Sequence, residues 1–466
     1  MRSALLISTY DLGRQPFGLA SAAAWLRASG WETATVDAAK EKLTLERLSG
    51  PALIAFHLPM HTATRLAGPV IAAARRVNPS ARLCAFGLYA PLNEEWLRDL
   101  GVDGIFGGEF EEELTAWANA NQTDHKATLR NPRSHSETFS AVPASSAVSS
   151  GRGLPRIHFL VPDRSSLPPL SKYATLLMPG GERRAVGYTE ASRGCRHLCR
   201  HCPVVPIYEG QFRVVQPDIV LADVAAQVAA GAGHITFGDP DFFNGPTHAM
   251  RIVEALHAAH PALSYDVTIK VEHLLKHRDL VARLAATGCA FVTSAIESVD
   301  DEVLRILDKG HTRADFLDAV TLCRGAGVTL VPTFVAFHPW LSLDGYCDLL
   351  DTIDAIDLVD HVAPIQLAIR LLVPRRSRLL EVAGLRAHLG DFDAETLTYR
   401  WRHPDPRVDE LQQEVMTLVG TRPAADRSRL FDDIRGLAYA KAGLVADTRP
   451  ARVRATVPYL DEPWYC

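Results

Sequence analysis

The chain reads as an α/β protein: an N-terminal doubly wound parallel sheet, then a partial (β/α)6 barrel, then a helical C-terminal region. Three observations predict this. The 466 residues exceed what a single hydrophobic core usually holds. Over residues 1–120, short apolar runs alternate with amphipathic stretches, the rhythm of a parallel sheet covered by helices. A second series of the same kind starts near residue 186 and runs through six βα units.

In the first unit, strands are expected at 3–9, 31–37, 52–57, 82–87 and 102–106, with helices at 17–29, 62–77, 92–100 and 111–120. Ligands of such domains lie beyond the carboxyl ends of the strands. Residues 121–153 lose all apolar periodicity to Asn, Ser, Thr, Pro and Arg, and read as a linker. Residues 154–185 regain apolar character but carry five prolines, so an extended segment lying against the next domain is expected. The barrel region, 154–375, has strands expected at 186–191, 234–238, 264–270, 290–296, 328–336 and 362–368. Helical patterns fall at 216–231, 246–259, 275–287, 300–308 with 313–326, and 343–357. The remainder, 376–466, is helix-rich.

Apolar residues make up 47% and charged residues 22%, which excludes wholesale disorder. A formal net charge of −5 gives no overall basic field for nucleic acid or anionic membrane, and no basic or aromatic module is appended. No apolar run reaches the ~18 residues that cross a bilayer. The apolar stretch before Asp11 is too short for a secretory signal, so the expected location is the cytoplasm.

Eight cysteines are too few for a disulfide scaffold, and three of them, Cys195, Cys199 and Cys202, fall within eight residues. They lie in the run Glu190-Ala191-Ser192-Arg193-Gly194-Cys195-Arg196-His197-Leu198-Cys199-Arg200-His201-Cys202-Pro203. Three thiols at C-x3-C-x2-C spacing can converge from one loop on a single inorganic cluster, and thiolates suit iron–sulfur chemistry. Gly194 permits the turn, and Arg193, Arg196 and Arg200 offset the negative charge. A closed zinc site wants four ligands, and none completes the set at a standard spacing, although His197 and His201 sit inside the loop. Two plainer readings remain beside it: three unrelated buried thiols, or a zinc knuckle using a histidine. With the latter goes a non-catalytic iron–sulfur or zinc protein that senses redox state or scaffolds partners.

The loop, placed after the first barrel strand, resembles that of the radical S-adenosylmethionine (SAM) enzymes. The resemblance implies a [4Fe-4S] cluster held by Cys195, Cys199 and Cys202, with its open iron chelating SAM. It further implies reductive cleavage of SAM to a 5′-deoxyadenosyl radical, fed by a flavodoxin- or ferredoxin-type electron donor, and an unspecified substrate. His201 stands where the family usually has an aromatic residue against adenine. By the same resemblance, Gly238 and Asp239 receive the SAM ammonium group, with glycine allowing close backbone approach. Lys270, Glu272 and Glu297, at the ends of the third and fourth strands, sit beside the SAM carboxylate and ribose. Pro332, Thr333 and Phe334 pack adenine, and Gln366 and Arg370 face substrate.

The N-terminal unit resembles the cobalamin-binding domain of one radical SAM class, in Ile54-Ala55-Phe56-His57, Leu83-Cys84-Ala85-Phe86-Gly87 and the run from Gly101 to Glu109. Cobalamin is therefore a candidate cofactor, approached by glycine-rich strand ends. The mutase-type Asp-x-His-x-x-Gly is replaced by Asp11-Leu12-Gly13-Arg14, so no lower axial histidine is expected from that loop, and His57 and His61 read as structural. Finally, Pro463-Trp464-Tyr465-Cys466 resembles the tail of the CUAEP/CCAEP radical SAM (seleno)protein family, with only the first of its paired residues present. An in-frame selenocysteine codon read as a stop would explain it, making the chain a selenoprotein candidate.

Overall fold

The computed structural model of the chain describes residues 2–120, 157–421, 427–447 and 457–461. The expected linker and the terminal cysteine tail lie outside the described residues. The structure divides into two compact units.

The first unit is built on five parallel strands: β1 (Arg2–Ser8), β2 (Trp31–Asp37), β3 (Leu53–His57), β4 (Arg82–Phe86) and β5 (Gly104–Phe106). Their order, β2-β1-β3-β4-β5, places the topological switch between β1 and β3. Leu6, Leu53, Cys84 and Phe86 pack with Leu19 and Leu26 of helix Phe17–Ala28 and Leu114 of helix Glu111–Ala120, forming one sealed layer. The strands read as near-continuous apolar runs because both faces of a parallel sheet are covered.

The boundary of this unit differs from the expected 1–120. Among the described residues it also takes in 157–168, and Leu12–Arg14 belong to the second unit. Asp163 donates its amide to the Ala20 carbonyl (2.9 Å), Thr35 Oγ1 donates to the Ser166 carbonyl (2.9 Å), and Leu167 enters the same core. Residues 157–168 therefore lie against the preceding unit, not the following one. Proline content told of extended backbone but carried no information about which surface it follows.

The second unit opens with an antiparallel hairpin, β6 (Thr175–Leu177) and β7 (Arg183–Thr189), turned through Gly180 and Gly181 at φ 95° and 89°. Next come β8 (Ser192–Gly194) and β9 (Phe212–Val214), an antiparallel pair that brackets the cysteine loop. Four further strands, β10 (His234–Phe237), β11 (Ser264–Thr268), β12 (Cys289–Glu297) and β13 (Thr329–Phe334), run parallel beside β7. The sheet order is β13-β12-β11-β10-β7-β6, with Tyr459–Leu460 pairing antiparallel at the β6 edge. This is a curled half-barrel with helices on its outside.

The sixth strand expected at 362–368 is absent. Pro364–Leu367 forms a 3-10 turn, and only an isolated bridge, Phe337 to Arg370, continues the pairing. The turn spends its backbone on local bonds, the Gln366 amide donating to the Ala363 carbonyl (2.8 Å) and the Ala368 amide to the Ile365 carbonyl (2.9 Å), in place of a ladder. The C-terminal region holds helices Pro406–Thr421 and Arg427–Ala442, and also a hairpin of Leu389–Asp393 with Thr398–Trp401. Its short aromatic alternation was hidden by the helical composition around it.

Helix starts are fixed by side chains in the loops that precede them, two after strands and one between two helices. Asp300 accepts from the Glu302 amide (2.8 Å), Thr312 and Asp315 form a capping box, and Ser342 accepts from the Gly345 amide (2.9 Å). Each cap ends a loop at the carboxyl edge of the half-barrel, where the cysteine loop also lies.

Candidate metal and cofactor site

Gly194 ends β8 at φ 76°, and a Cβ there would meet the Gln211 carbonyl and the Tyr208 ring at 2.5 Å, so only glycine turns the chain into the loop. Asn244, buried, then holds the loop's start: its Oδ1 accepts from the Arg196 amide (3.1 Å) and its Nδ2 donates to the Gly194 carbonyl (3.4 Å). The far side is pinned to the end of helix Asp301–Leu307, where the Arg200 amide donates to the Leu307 carbonyl (2.9 Å) and Arg200 Nη1 to Ile306 (2.6 Å). These arginines have other work than offsetting cluster charge. Arg193 pairs with Glu190 at 2.7 Å, Arg196 lies over the Phe212 ring, and Arg200 satisfies carbonyls at a helix C-terminus.

Cys199 is buried, while Cys195 and Cys202 are partly so. Burial pushes the Cys195 thiol up to about 11 and the Cys202 thiol up to about 12, each raised further by the neighbouring thiols. Such thiols give up their protons to a metal, not to water. Three sulfurs close enough to repel one another, on one loop with no fourth cysteine beside them among the described residues, fit a cluster with one open position. A second donor set overlaps the first. One ligand atom each from Cys195, His197 and Asp241 lie within 4.8 Å of one another, a mixed sulfur, nitrogen and oxygen set.

A belt of buried charge surrounds the loop. His201 Nε2 lies 3.0 Å from Glu297 Oε1, and Lys309 Nζ is 3.4 Å from the same oxygen. Burial alone would raise Glu297, but the Lys309 ammonium and His201 outweigh it and bring its carboxyl down to about 2. Lys270 Nζ meets His197 Nδ1 at 3.0 Å and Glu272 Oε2 at 3.4 Å. His273 Nδ1 lies 2.7 Å and His197 Nε2 3.4 Å from Asp241 Oδ2. The structure thus brings His201, Lys270, Glu272 and Glu297 into contact with the loop or its partners. A cavity of ≈ 250 Å³ opens beside Glu297 at the ends of β12 and β13, lined also by His338 and Trp340. Burial pushes His338 down to about 4 and His311, beside Lys309 and Lys270, down to about 4 as well.

Four expectations are corrected by geometry. Asp239 does not face a ligand: it is buried, accepting from the Ala191 amide (2.9 Å) and the Ser192 hydroxyl (2.5 Å), and burial pushes it up to about 7. The space above Gly238 is taken by the Tyr188 hydroxyl, 1.7 Å from where a Cβ would sit. Arg370 pairs with Asp409 (2.7 Å) and stacks on Trp401; Gln366, by contrast, lines the half-barrel cavity while its Oε1 accepts from the Phe334 amide (3.1 Å). Two of the glycines at the strand ends of the first unit are crowded by the protein itself: Gly87 approaches the Leu58 carbonyl and Gly107 the Pro91 ring. Asn244, Lys309 and His311 were missed: Asn244 meets partners 48 and 50 residues away and Lys309 one 12 away, and no local pattern marks any of the three.

Residues 189–353 match the radical SAM superfamily. The chain carries a radical SAM domain. Among curated relatives, tRNA-2-methylthio-N(6)-dimethylallyladenosine synthase of Alkalilimnicola ehrlichii is 23% identical over 203 residues, 41% of this chain and 45% of that protein. The Desulfitobacterium hafniense protein of the same name is 25% identical over 154 residues, 32% of this chain and 34% of its own. The matched stretch is thus less than half the length of either relative. Among solved structures, the cobalamin-dependent SAM radical enzyme OxsB with aqua-cobalamin bound superposes with a TM-score of 0.69 at 13% identity, over 95% of this chain and 72% of its own. The radical SAM methyltransferase TsrM from Kitasatospora setae gives 0.57 at 19%, over 76% and 70%. At these identities the likeness is one of fold, and it covers both the radical SAM domain and the β2-β1-β3-β4-β5 unit before it. A radical SAM domain implies a [4Fe-4S] cluster and SAM, which the three-thiol loop suits. No helix among the described residues is long and apolar enough to cross a membrane.

Proposed function

We propose that the chain is a radical SAM enzyme, in which Cys195, Cys199 and Cys202 hold the cluster and the buried charges around them hold SAM. The observation that carries this reading is the three-thiol loop itself, clamped between β8, β9 and Asn244 in a domain that matches the radical SAM superfamily. A bound [4Fe-4S] cluster would supply the electron that cleaves SAM reductively. The chain's residues do the rest. Glu297 Oε1 is taken by His201 and Lys309, which leaves Oε2 to accept from ribose hydroxyls. Lys270, at the end of β11, offers an ammonium to the SAM carboxylate, and Trp340 offers a ring face in the adjacent cavity. The burial of these groups excludes water and strengthens each contact. A flavodoxin- or ferredoxin-type protein is the electron donor in this reading.

The first unit is read as a cobalamin domain on its fold alone. Its strand ends hold no open glycine cradle at Gly87 or Gly107, and the His57 ring is packed against Gly18 of helix Phe17–Ala28, so no step is assigned to a corrin. The visible spectrum of anaerobically purified protein decides this point: a corrin band supports the assignment, and its absence removes it.

Anaerobic reconstitution with iron, sulfide, dithionite and SAM tests the main reading. Wild-type protein is expected to turn brown and release 5′-deoxyadenosine, and Cys199→Ala to lose both. A second reading, a non-catalytic zinc or iron–sulfur protein, draws on the Cys195, His197 and Asp241 donor set. One zinc per chain with no 5′-deoxyadenosine after oxygen-free preparation would establish it instead.

A further inference from the structure

The half-barrel holds a cavity of ≈ 180 Å³ whose lining includes Gly238, Pro332, Thr333 and Gln366 together with residues given no role so far. Two rows of inward side chains line it. Thr236, Asp266 and Phe291 face one another across β10, β11 and β12, and Thr268, Thr293 and Val331 form the next row toward the strand ends. The wall is mostly apolar or hydroxyl-bearing, and Asp266 is the carboxylate that lines it.

Asp266 is only 4% exposed, yet just one of its oxygens is satisfied. Oδ1 accepts from Thr236 Oγ1 (2.6 Å) and meets His234 Nε2 (2.8 Å), whose other nitrogen lies 2.8 Å from Ser264 Oγ. No hydrogen bond reaches Oδ2 and no lysine or arginine pairs with Asp266 among the described residues. A buried carboxylate held rigidly by two partners, with a free oxygen on a cavity, is a preorganised acceptor. Burying it without an occupant is costly, and an ammonium donor relieves that cost through a short charge-assisted bond.

The opposite side of the cavity restricts the occupant further. Arg14 lies over the Tyr188 ring, and Arg427 lies over the Tyr459 ring while donating to the Asp360 carbonyl (2.8 Å). Both guanidiniums line the same cavity. Among the described residues no other carboxylate lines the cavity to pair a second ammonium, and Phe237, Phe291, Val331 and Leu460 give part of the wall an apolar face that favours a hydrocarbon body.

We infer that the half-barrel cavity binds a small primary monoamine with an apolar body, its ammonium donating to Asp266 Oδ2. This rests on the reading of the chain as a radical SAM enzyme only in making that amine the substrate class; the binding itself needs neither cluster nor SAM. Asp266 is then the residue that selects substrate by its charge, with Thr236 and His234 positioning it.

Calorimetric titration of the full chain tests this with 2-phenylethylamine, 3-methylbutylamine, N-acetyl-2-phenylethylamine, 3-phenylpropanoate and 1,4-butanediamine. At least one monoamine is expected to bind about tenfold or more tighter than its acetylated, anionic and doubly charged counterparts, the order expected of one charge-assisted pair. Asp266→Asn should lose that preference while keeping the wild-type circular dichroism. If that variant does not fold, the wild-type ranking still decides. Equal binding of amine and N-acetyl amide, preference for the carboxylate, no monoamine binding, or an undiminished preference in Asp266→Asn overturns the inference. Iron content and 5′-deoxyadenosine release measured on the same preparation report separately on the radical SAM reading.

Discussion

Glu297 shows how much one buried charge organises. It sits in the left-handed region at φ 72°, which is unfavourable for a non-glycine residue, and its carboxylate serves both Lys309 and His201. Glu297→Gln leaves the buried Lys309 ammonium facing a neutral amide, and is expected to cost about 3 kcal/mol at neutral pH. Because its folded pKa lies below the ordinary carboxylate range, its stabilisation is present above that range and fades as pH falls toward about 2. Urea unfolding of wild type and variant should therefore show a large gap at pH 7 that narrows by pH 3.5; a constant gap would mean the carboxylate charge is not what stabilises. Asp239 behaves oppositely: burial raises it to about 7, so its contribution is present at low pH and lost as pH rises through neutrality. At this scale the three cysteines and Gly194 were legible, because ligand spacing and a turn are local properties. Lys309, Asn244 and Asp266 were not, because each acquires its role from partners on other elements.

At the scale of elements, β10 ends in a contact that sequence pattern misread. Gly238 is held to glycine by the Tyr188 hydroxyl of β7, which occupies its side-chain position, whether or not a ligand reaches its backbone from the half-barrel cavity. Gly238→Ala would set a methyl 1.7 Å from that oxygen and 2.1 Å from the ring carbon behind it. Two paired parallel strands cannot part easily, so the cost is expected to be about 3 kcal/mol. Calorimetry should show it as a lowered melting temperature; an unchanged one would mean that the strand ends yield. The missing sixth strand carries the same lesson. Its apolar run was real, but Pro364 and a 3-10 turn replaced ladder hydrogen bonds with local ones, and Gln366 was drawn to the Phe334 amide. Parallel strands β7 and β10 to β13 were legible from their buried apolar runs. The short pairs β8–β9 and Leu389–Asp393 with Thr398–Trp401 were too brief to show a period.

For the whole molecule, the segment at 157–168 is the informative part. Arg27 pairs with Asp163 and donates to Ser166 Oγ (2.9 Å) and the Thr33 carbonyl (2.7 Å), tying this segment to the β2 edge of the first unit. Arg27→Ala is expected to speed amide hydrogen exchange across 163–167 by about tenfold, with little change in the second unit. Uniform faster exchange over both units would instead point to global destabilisation. The amino-acid sequence alone determined the two-part α/β organisation, the strand and helix alternation of both units, and the three-thiol loop, since periodicity and ligand spacing act over a few residues. Only the tertiary structure decided where the first unit ends, that Asp239 and Arg370 are spent on packing, that Glu297 joins the cysteine loop, and that Asp266 presents a free oxygen to an enclosed space. Those outcomes depend on which distant side chains burial forces together, and a buried polar group must be satisfied by whatever neighbours the fold supplies.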